Sequence, residues 1–264
     1  MLIWLAVLGY IFSGAIALRG LYRVELPPRA WVFWPAAVAV LAHLSTLASE
    51  VIVLGALQIS LTNAASVITF FIVTVLLISG WSKPLHSFFA FVLPAAALIM
   101  IVVAVTPQEF APRLYQPGVV LHVFLSMLAY SVITIATLIA LLLGIQNRQL
   151  HEHHLSGRLN RFLPPLQTME RLLFEWLMIG FILLTAAMIS GGLFVDNLLT
   201  QDLVHKTVLT FVAWLFFAVL LFGHFYLGWR GALASRLTVF GFIFLMLAFF
   251  GSKFVLEYLL HRYG

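Results

Sequence analysis

The chain has 264 residues, of which 63% are hydrophobic and only 9% charged. A typical soluble protein is about 25% charged, so this composition excludes a soluble globular domain. Cysteine is absent, which excludes disulfide bonds, iron–sulfur clusters and covalent attachment of a prosthetic group through a C-x-x-C-H motif. The net charge of +5 points to topology-determining loops rather than to a nucleic-acid partner.

Apolar segments recur along the chain, each long enough to cross a hydrocarbon core of about 30 Å as a helix. They do not alternate with period two, as the strands of a membrane barrel would. Helices also satisfy their own backbone groups in lipid. The predicted spans are 2–18, 31–50, 63–81, 85–105, 118–145, 172–192, 203–229 and 235–260. The sequence therefore predicts an all-α polytopic membrane protein, a bundle of eight transmembrane helices in one domain over 1–264.

Two apolar segments need separate comment. The N-terminal segment lacks a basic region before it and leads into Arg19 and Arg23, so we expect a membrane span and not a cleavable signal. The stretch 50–61 is too short to span, and it either extends the second helix or lies in the membrane interface.

Basic residues predict the orientation, because cytoplasmic loops carry an excess of lysine and arginine. With both termini outside, ten basic residues lie on the cytoplasmic side and three outside, while Lys253 lies within the last span. The cytoplasmic ten are Arg19, Arg23, Arg29, Lys83, Arg148, Arg158, Arg161, Arg171, Arg230 and Arg236. The hydrophilic segment 146–171 is then a cytoplasmic loop, with a short amphipathic helix broken at Pro164–Pro165.

The sequence lacks the motifs of nucleotide-binding and hydrolytic enzymes. Neither G-x-x-x-x-G-K-[ST] nor G-x-G-x-x-G occurs, so an ATPase or a dinucleotide enzyme is not expected. No Ser–His–Asp or paired-carboxylate arrangement can be assembled, and hydrolytic chemistry has no support. We therefore expect none of these three classes of enzyme. The absence of a convincing inverted repeat weakens a transporter interpretation.

Two histidines lie deep in the predicted bundle: His43 midway along the second span and His224 in the cytoplasmic half of the seventh. Ionisable groups in hydrocarbon are costly, and each one suggests a function. Neutral imidazole is an axial ligand for heme iron, and two from different helices can clamp one porphyrin. The alternative is interhelical hydrogen bonding. Thr46 and Glu50 share the helical stripe of His43, so that face points to the bundle interior.

A second pair of histidines is predicted at the outer face, His122 at the start of the fifth span and His261 at the end of the eighth. They are either ligands of a second heme or solvated polar caps. Lys253, Glu257 and His261 recur every four residues and share one helix face. Glu257 either pairs with Lys253 or orients the His261 ring as an outer-shell partner.

The remaining histidines give weaker indications. His151, His153 and His154 form an HEHH cluster in the predicted cytoplasmic loop, which either binds a divalent metal or is only solvated. His205 either forms a salt bridge with its charged neighbours or contacts a heme propionate. His86, near the cytoplasmic end of the fourth span, is expected to be structural.

Two long segments resemble the cytochrome c assembly family, the heme-handling membrane proteins of the cytochrome c synthase and heme exporter type. These are LHVFLSMLAYSVITIATLIALLLGIQ and the C-terminal block from HKTVLTFVAWLFFAVLLFGHFYLGWRG to the end. The resemblance covers 118–264 best and the first hundred residues more loosely. It implies that His122 and His261 are outer-face heme ligands and that His224 is a membrane heme ligand. His43 matches the other membrane histidine in a less specific context.

The chain departs from that family where members that present heme carry a tryptophan-rich WWD segment. The equivalent place reads SGGLFVDNLLTQDLVHKT and has no tryptophan. The resemblance therefore implies that the chain belongs to a small branch of the family, located in the bacterial inner membrane. Members of this branch lack the WWD segment and are expected to bind heme b without synthase activity. The expected partners of this chain are the bilayer, heme and other membrane or cytochrome maturation proteins. Its expected role is heme transfer or cytochrome maturation.

Two other functions stay open at this stage. The first is an accessory protein for divalent-cation transport or resistance, for magnesium or cobalt. Hard cations prefer oxygen ligands, and the spans hold few carboxylates, chiefly Glu50, Glu175 and Glu257. The second is a non-catalytic membrane scaffold in which the histidines serve packing alone.

Overall fold

The structure is a computed structural model that describes residues 2–25, 27–53, 56–58, 60–106, 114–151, 158–194 and 201–255. Its first helices are α1 (Leu2–Arg23), α2 (Arg29–Glu50), α3 (Leu61–Ser79) and α4 (Phe89–Val105), the last preceded by a 3₁₀ turn at His86–Phe88. There follow α5 (Pro117–His151), α6 (Arg158–Phe162), α7 (Leu166–Phe194), α8 (Gln201–Leu227) and α9 (Gly231–Met246). A π-helical turn, Leu247–Gly251, joins α9 to the short α10 (Ser252–Phe254).

Within these described ranges, eight helices are long and apolar enough to cross a membrane. The predicted all-α polytopic fold is therefore confirmed, and each predicted span falls on one of these helices, except that 256–260 of the last span lies outside the described residues. The largest difference at a start is α7, which begins at Leu166 rather than 172. The first turns of α7 carry Glu170 and Arg171, and these charged residues lower the hydropathy on which the predicted start was based. Charged residues are nevertheless common where a membrane helix ends in the polar interface. The orientation with both termini outside stays a prediction.

Between α2 and α3 the described residues include two short paired strands, so the alternative in which 50–61 extends α2 is wrong, and its place in the membrane interface stays a prediction. Strands β1 (Ile52–Val53) and β2 (Ala56–Leu57) pair antiparallel, with Ile52 opposite Leu57. The run of β-branched residues from Val51 to Val53 favours extended backbone over helix. Ser60 then starts α3, because its hydroxyl accepts a hydrogen bond from the Asn63 N–H at 3.0 Å.

The chain divides into two compact units. The first contains Met1–Leu114 and His154–Pro164, and the second contains Tyr115–His153 and Pro165–Gly264. In the first unit α1 packs against α2 and α4 around buried side chains that include Tyr10, Leu93 and Met100. In the second, α5 packs along α7 and α9.

A carboxylate of the second unit caps α9. The Gly231 N–H donates to Glu170 Oε1 at 2.8 Å. The N-cap residue itself, Arg230, makes no capping hydrogen bond with its side chain. An acidic group at a helix N-terminus satisfies an orphan donor and interacts favourably with the helix dipole. Glu170 on α7 thereby holds the start of α9 in place.

Replacing Glu170 with alanine should lower the free energy of unfolding by about 1 kcal/mol, the usual contribution of a helix cap. Thermal unfolding of the purified protein in detergent measures the loss. Glu175→Ala is the matched control on the same helix, because its exposed ion pair with Arg171, at 3.8 Å, contributes roughly 0–1 kcal/mol. Equal losses in the two variants would contradict the capping role.

Candidate functional site

The His224 ring is held by a backbone carbonyl at the end of α8. Its Nδ1 lies 3.0 Å from the Trp229 carbonyl oxygen. Since a carbonyl oxygen only accepts, Nδ1 carries the proton and Nε2 of the neutral ring carries the lone pair. Among the residues that the structure describes, Nε2 has no hydrogen-bond partner. The arrangement is the one that metal-ligating histidines adopt, with one nitrogen donating and the other open.

The turn after α8 places the Trp229 carbonyl at this point. Gly228 and Gly231 have φ of +70° and +58°, in the left-handed region that favours glycine. The Trp229 N–H donates to the Gly223 carbonyl at 3.1 Å. The indole ring covers the face of Gly223 so closely that a Cβ there would overlap it. The G-W-R-G turn therefore folds back on α8 and orients the histidine.

Two aromatic side chains contact this imidazole. Phe174 of α7 stacks on it, with ring centroids 3.4 Å apart and planes 14° apart. Phe225 meets it edge-on at 5.2 Å. Phe174 is buried and His224 is half-buried. The side chain is thus held by an aromatic stack and is half-buried.

If His224 ligates heme iron, as the family resemblance implies, Gly223→Ala should reduce heme affinity without changing the histidine itself. The added methyl group displaces the Trp229 ring, and with it the carbonyl that orients His224. Loss of such an outer-shell partner typically costs 10- to 100-fold in metal affinity, and a hemin titration followed by absorbance measures it.

Gly192→Ala is the matched control for that substitution. Gly192 lies in α7 of the same unit, and a Cβ there meets no atom within 4 Å in the described part of the chain. The control should therefore bind hemin as the unmodified protein does. Unchanged affinity in Gly223→Ala would contradict the orienting role of the turn.

His122 is oriented in the same way between α5 and α7. Its Nδ1–H donates to the Ala187 carbonyl at 2.8 Å, with the Ser190 hydroxyl 3.4 Å away. Gly191 makes room for the ring, since a Cβ there would lie 2.9 Å from His122 Cε1. No described residue bonds to Nε2. His261 lies outside the described residues, so the pairing of these two histidines stays a prediction.

His43 differs because both of its ring nitrogens are hydrogen-bonded. The ring is 0% exposed, with Nδ1 3.1 Å from the Tyr10 hydroxyl and Nε2 2.9 Å from Ser66 Oγ. Ser66 donates its proton to Met100 Sδ at 3.7 Å, so it accepts from Nε2–H and Tyr10 donates to Nδ1. This arrangement does not fit an iron ligand unless one hydroxyl releases its nitrogen.

The stripe predicted to point inward from α2 does so at two of its positions. His43 and Thr46 are buried, and Glu50 is half-buried. His43 belongs to the first compact unit and His224 to the second. The predicted clamp of one heme by these two histidines accordingly stays a prediction.

The other histidines have separate surroundings. His86 Nε2 accepts a hydrogen bond from Arg29 Nε at 2.8 Å, which ties α2 to the turn before α4. His205 is exposed on α8. His153, His154, Glu257 and the side chain of His151 lie outside the described residues, so the metal site in the loop and the Glu257 contacts stay predictions. In the described ranges no three His, Asp or Glu residues come together as metal ligands.

Several residues that position the histidines were not predicted from sequence. Phe174 and the Ala187 carbonyl give no signal, because one is among 24 phenylalanines and the other is backbone. Tyr10 and Ser66 do give one, since a polar side chain within an apolar span needs a partner. Pairing them with His43 across three helices nevertheless requires the fold.

Fold and site together define a polytopic helical membrane protein in which backbone carbonyls orient two histidines. The chain belongs to the cytochrome c assembly protein family, whose model matches residues 30–260. The inner membrane protein YpjD of Escherichia coli K12 is 33% identical over 260 residues, covering 95% of this chain and 96% of that protein.

Two further relatives extend this comparison. An uncharacterised 28.8 kDa protein of Azospirillum brasilense is 31% identical over 209 residues, covering 76% of this chain and 74% of that protein. The cytochrome c biogenesis protein CcsA of Prochlorococcus marinus (strain MIT 9515) is 26% identical over 181 residues, covering 60% and 56%. No solved structure matches the chain.

Proposed function

We propose that this protein binds heme b in the bacterial inner membrane and serves heme transfer or cytochrome maturation. Family membership supports a role in heme handling. The relative from Escherichia coli is named as an inner membrane protein and that from Prochlorococcus marinus as a cytochrome c biogenesis protein. With no cysteine in the chain, the heme is held by ligation and packing rather than by thioether bonds.

The geometry of His224 carries this proposal. Its Nδ1–H is committed to the Trp229 carbonyl, and Nε2 is left to bind iron. The Phe174 ring stacked against the imidazole removes the freedom to swing away. A bound heme would supply redox chemistry at its iron. The chain's own part is to present one imidazole in a fixed tautomer and to surround the porphyrin with apolar side chains.

His122 is the proposed ligand of a second, outer heme site. The Ala187 carbonyl orients it as the Trp229 carbonyl orients His224. His261 is its proposed partner, and both chain termini are proposed to lie outside. Because the sequence has no WWD segment, we propose binding and transfer of heme without covalent attachment to a cytochrome.

Optical spectra of the purified protein, oxidised and reduced, test the proposal. Protein from heme-replete cells should show a Soret band and the α and β bands of a ligated b-type heme on reduction. Protein that is colourless and that takes up no added hemin would refute heme binding. Metal-dependent growth of a deletion strain that is insensitive to histidine substitutions would favour the cation-accessory function.

A further inference from the structure

A cavity of about 460 Å³ opens between the end of α1 and the start of α2. Phe12, Ile16 and Trp31 line its apolar side, and Arg19 and Arg23 line it as well. Volumes of this size are typical of ligand sites. The site combines an apolar wall with two cations at the end of a membrane-spanning helix.

The turn beside the cavity is strained. Val24 has φ +58°, a left-handed conformation that is unfavourable for a β-branched residue. The Glu25 N–H donates to the Gly20 carbonyl at 3.0 Å, and a Cβ at Gly20 would lie 2.7 Å from the Glu25 carbonyl oxygen. Such strain persists where the surrounding structure over-determines it, and it accumulates at binding sites.

The two arginines are available for a ligand. Arg19 and Arg23 are four residues apart on α1, so they share one face and repel each other. Both are exposed, and within the described residues neither forms a hydrogen bond or an ion pair. Glu25 is the acidic residue among those lining the cavity, which leaves one excess positive charge there. An anion between the guanidinium groups would remove the repulsion.

We propose that this cavity binds an anionic phospholipid. The two guanidinium groups hold the phosphate, for which arginine has matching donors. One acyl chain follows Phe12 and Trp31, which are 54% and 64% exposed on helices that cross the membrane. Basic cavities between transmembrane helices recognise anionic headgroups in this way. The site is independent of the histidines and does not rest on heme binding.

The test is a titration of the detergent-solubilised protein with dioctanoyl phosphatidylglycerol and, in parallel, dioctanoyl phosphatidylcholine, followed by melting temperature. Phosphatidylglycerol should raise the melting temperature at lower concentration than phosphatidylcholine. In Arg19→Gln/Arg23→Gln its apparent affinity should fall by roughly 10- to 30-fold, because two surface arginines are lost. Arg19→Lys/Arg23→Lys keeps the charge and should retain part of that affinity.

Arg158→Gln/Arg236→Gln is the matched control, since it removes two exposed arginines that do not line the cavity. It should bind phosphatidylglycerol like the unmodified protein. An equal loss in this control would show a general charge effect and overturn the proposal. Equal stabilisation by phosphatidylglycerol and phosphatidylcholine, or by phosphatidylglycerol and inorganic phosphate, would also overturn it. Displacement of the bound lipid by a stoichiometric amount of hemin would do the same.

Discussion

His224→Ala should lose the part of the Soret band that the heme at its own proposed site contributes to the purified protein. The substitution removes the imidazole whose Nε2 is open and whose Nδ1 is anchored to Trp229. Loss of an outer-shell partner alone costs about 10- to 100-fold in metal affinity, so removal of the ligand itself must cost at least as much. The heme-to-protein ratio after purification, together with a hemin titration, measures the effect.

His205→Ala is the control on the same helix. His205 is exposed and lies 19 residues before His224, about 28 Å along the helix axis. It should keep the Soret band at its original intensity. Circular dichroism and gel filtration of both variants establish that each is folded. A folded His224→Ala that retains full heme would contradict the assignment of His224 as a ligand.

His122→Ala is expected to behave differently from His224→Ala if the two histidines serve separate sites. Each is oriented by its own backbone carbonyl, on different pairs of elements. The double variant should then lose all heme while each single variant loses one component of the spectrum. Loss of the entire spectrum in both single variants would contradict two independent sites.

Hydropathy predicts the eight helices because each span sums apolar contributions over about 20 residues, and single errors average out. The same sum correctly gives no span at 50–61 but does not predict its local structure, because a run as short as Val51–Val53 suits either a helix or a strand. The β-branched residues favour extended backbone, and the described residues of this stretch form the paired strands β1 and β2.

The site was predictable only to the level of residue identity. A histidine in an apolar span is visible in the sequence because burying it is costly. The direction in which its lone pair points is not visible, since for His224 and His122 the partners are backbone carbonyls of Trp229 and Ala187. These carbonyls are placed by a glycine turn and by the close approach of α5 to α7. Only the fold therefore separates the two rings with an open Nε2 from His43.

His43→Leu should lower the free energy of unfolding by about 1–3 kcal/mol and leave the heme content per folded protein unchanged. The substitution breaks hydrogen bonds to Tyr10 and Ser66, each contributing about 0.6 kcal/mol and at most about 1.7 kcal/mol in a membrane protein. It also removes the edge-to-face contacts of the ring with Tyr10 and Phe70. Thermal unfolding measures the first effect and the Soret absorbance of the folded fraction the second.

Two serine variants separate this packing role from iron ligation. Ser66→Ala removes the acceptor of His43 Nε2–H, whereas Ser13→Ala removes a buried hydroxyl that has no partner among the described residues. Ser66→Ala should destabilise the protein and Ser13→Ala should not. If His43 binds iron instead, Ser66→Ala removes the acceptor of Nε2–H, and the ring proton can move to Nδ1, where the Tyr10 hydroxyl accepts it. Nε2 then has a lone pair for iron, so the affinity for hemin rises, while folded His43→Leu loses the heme that His43 ligates. Those two results together would show that His43 is a ligand, because a histidine that only forms hydrogen bonds would produce neither of them.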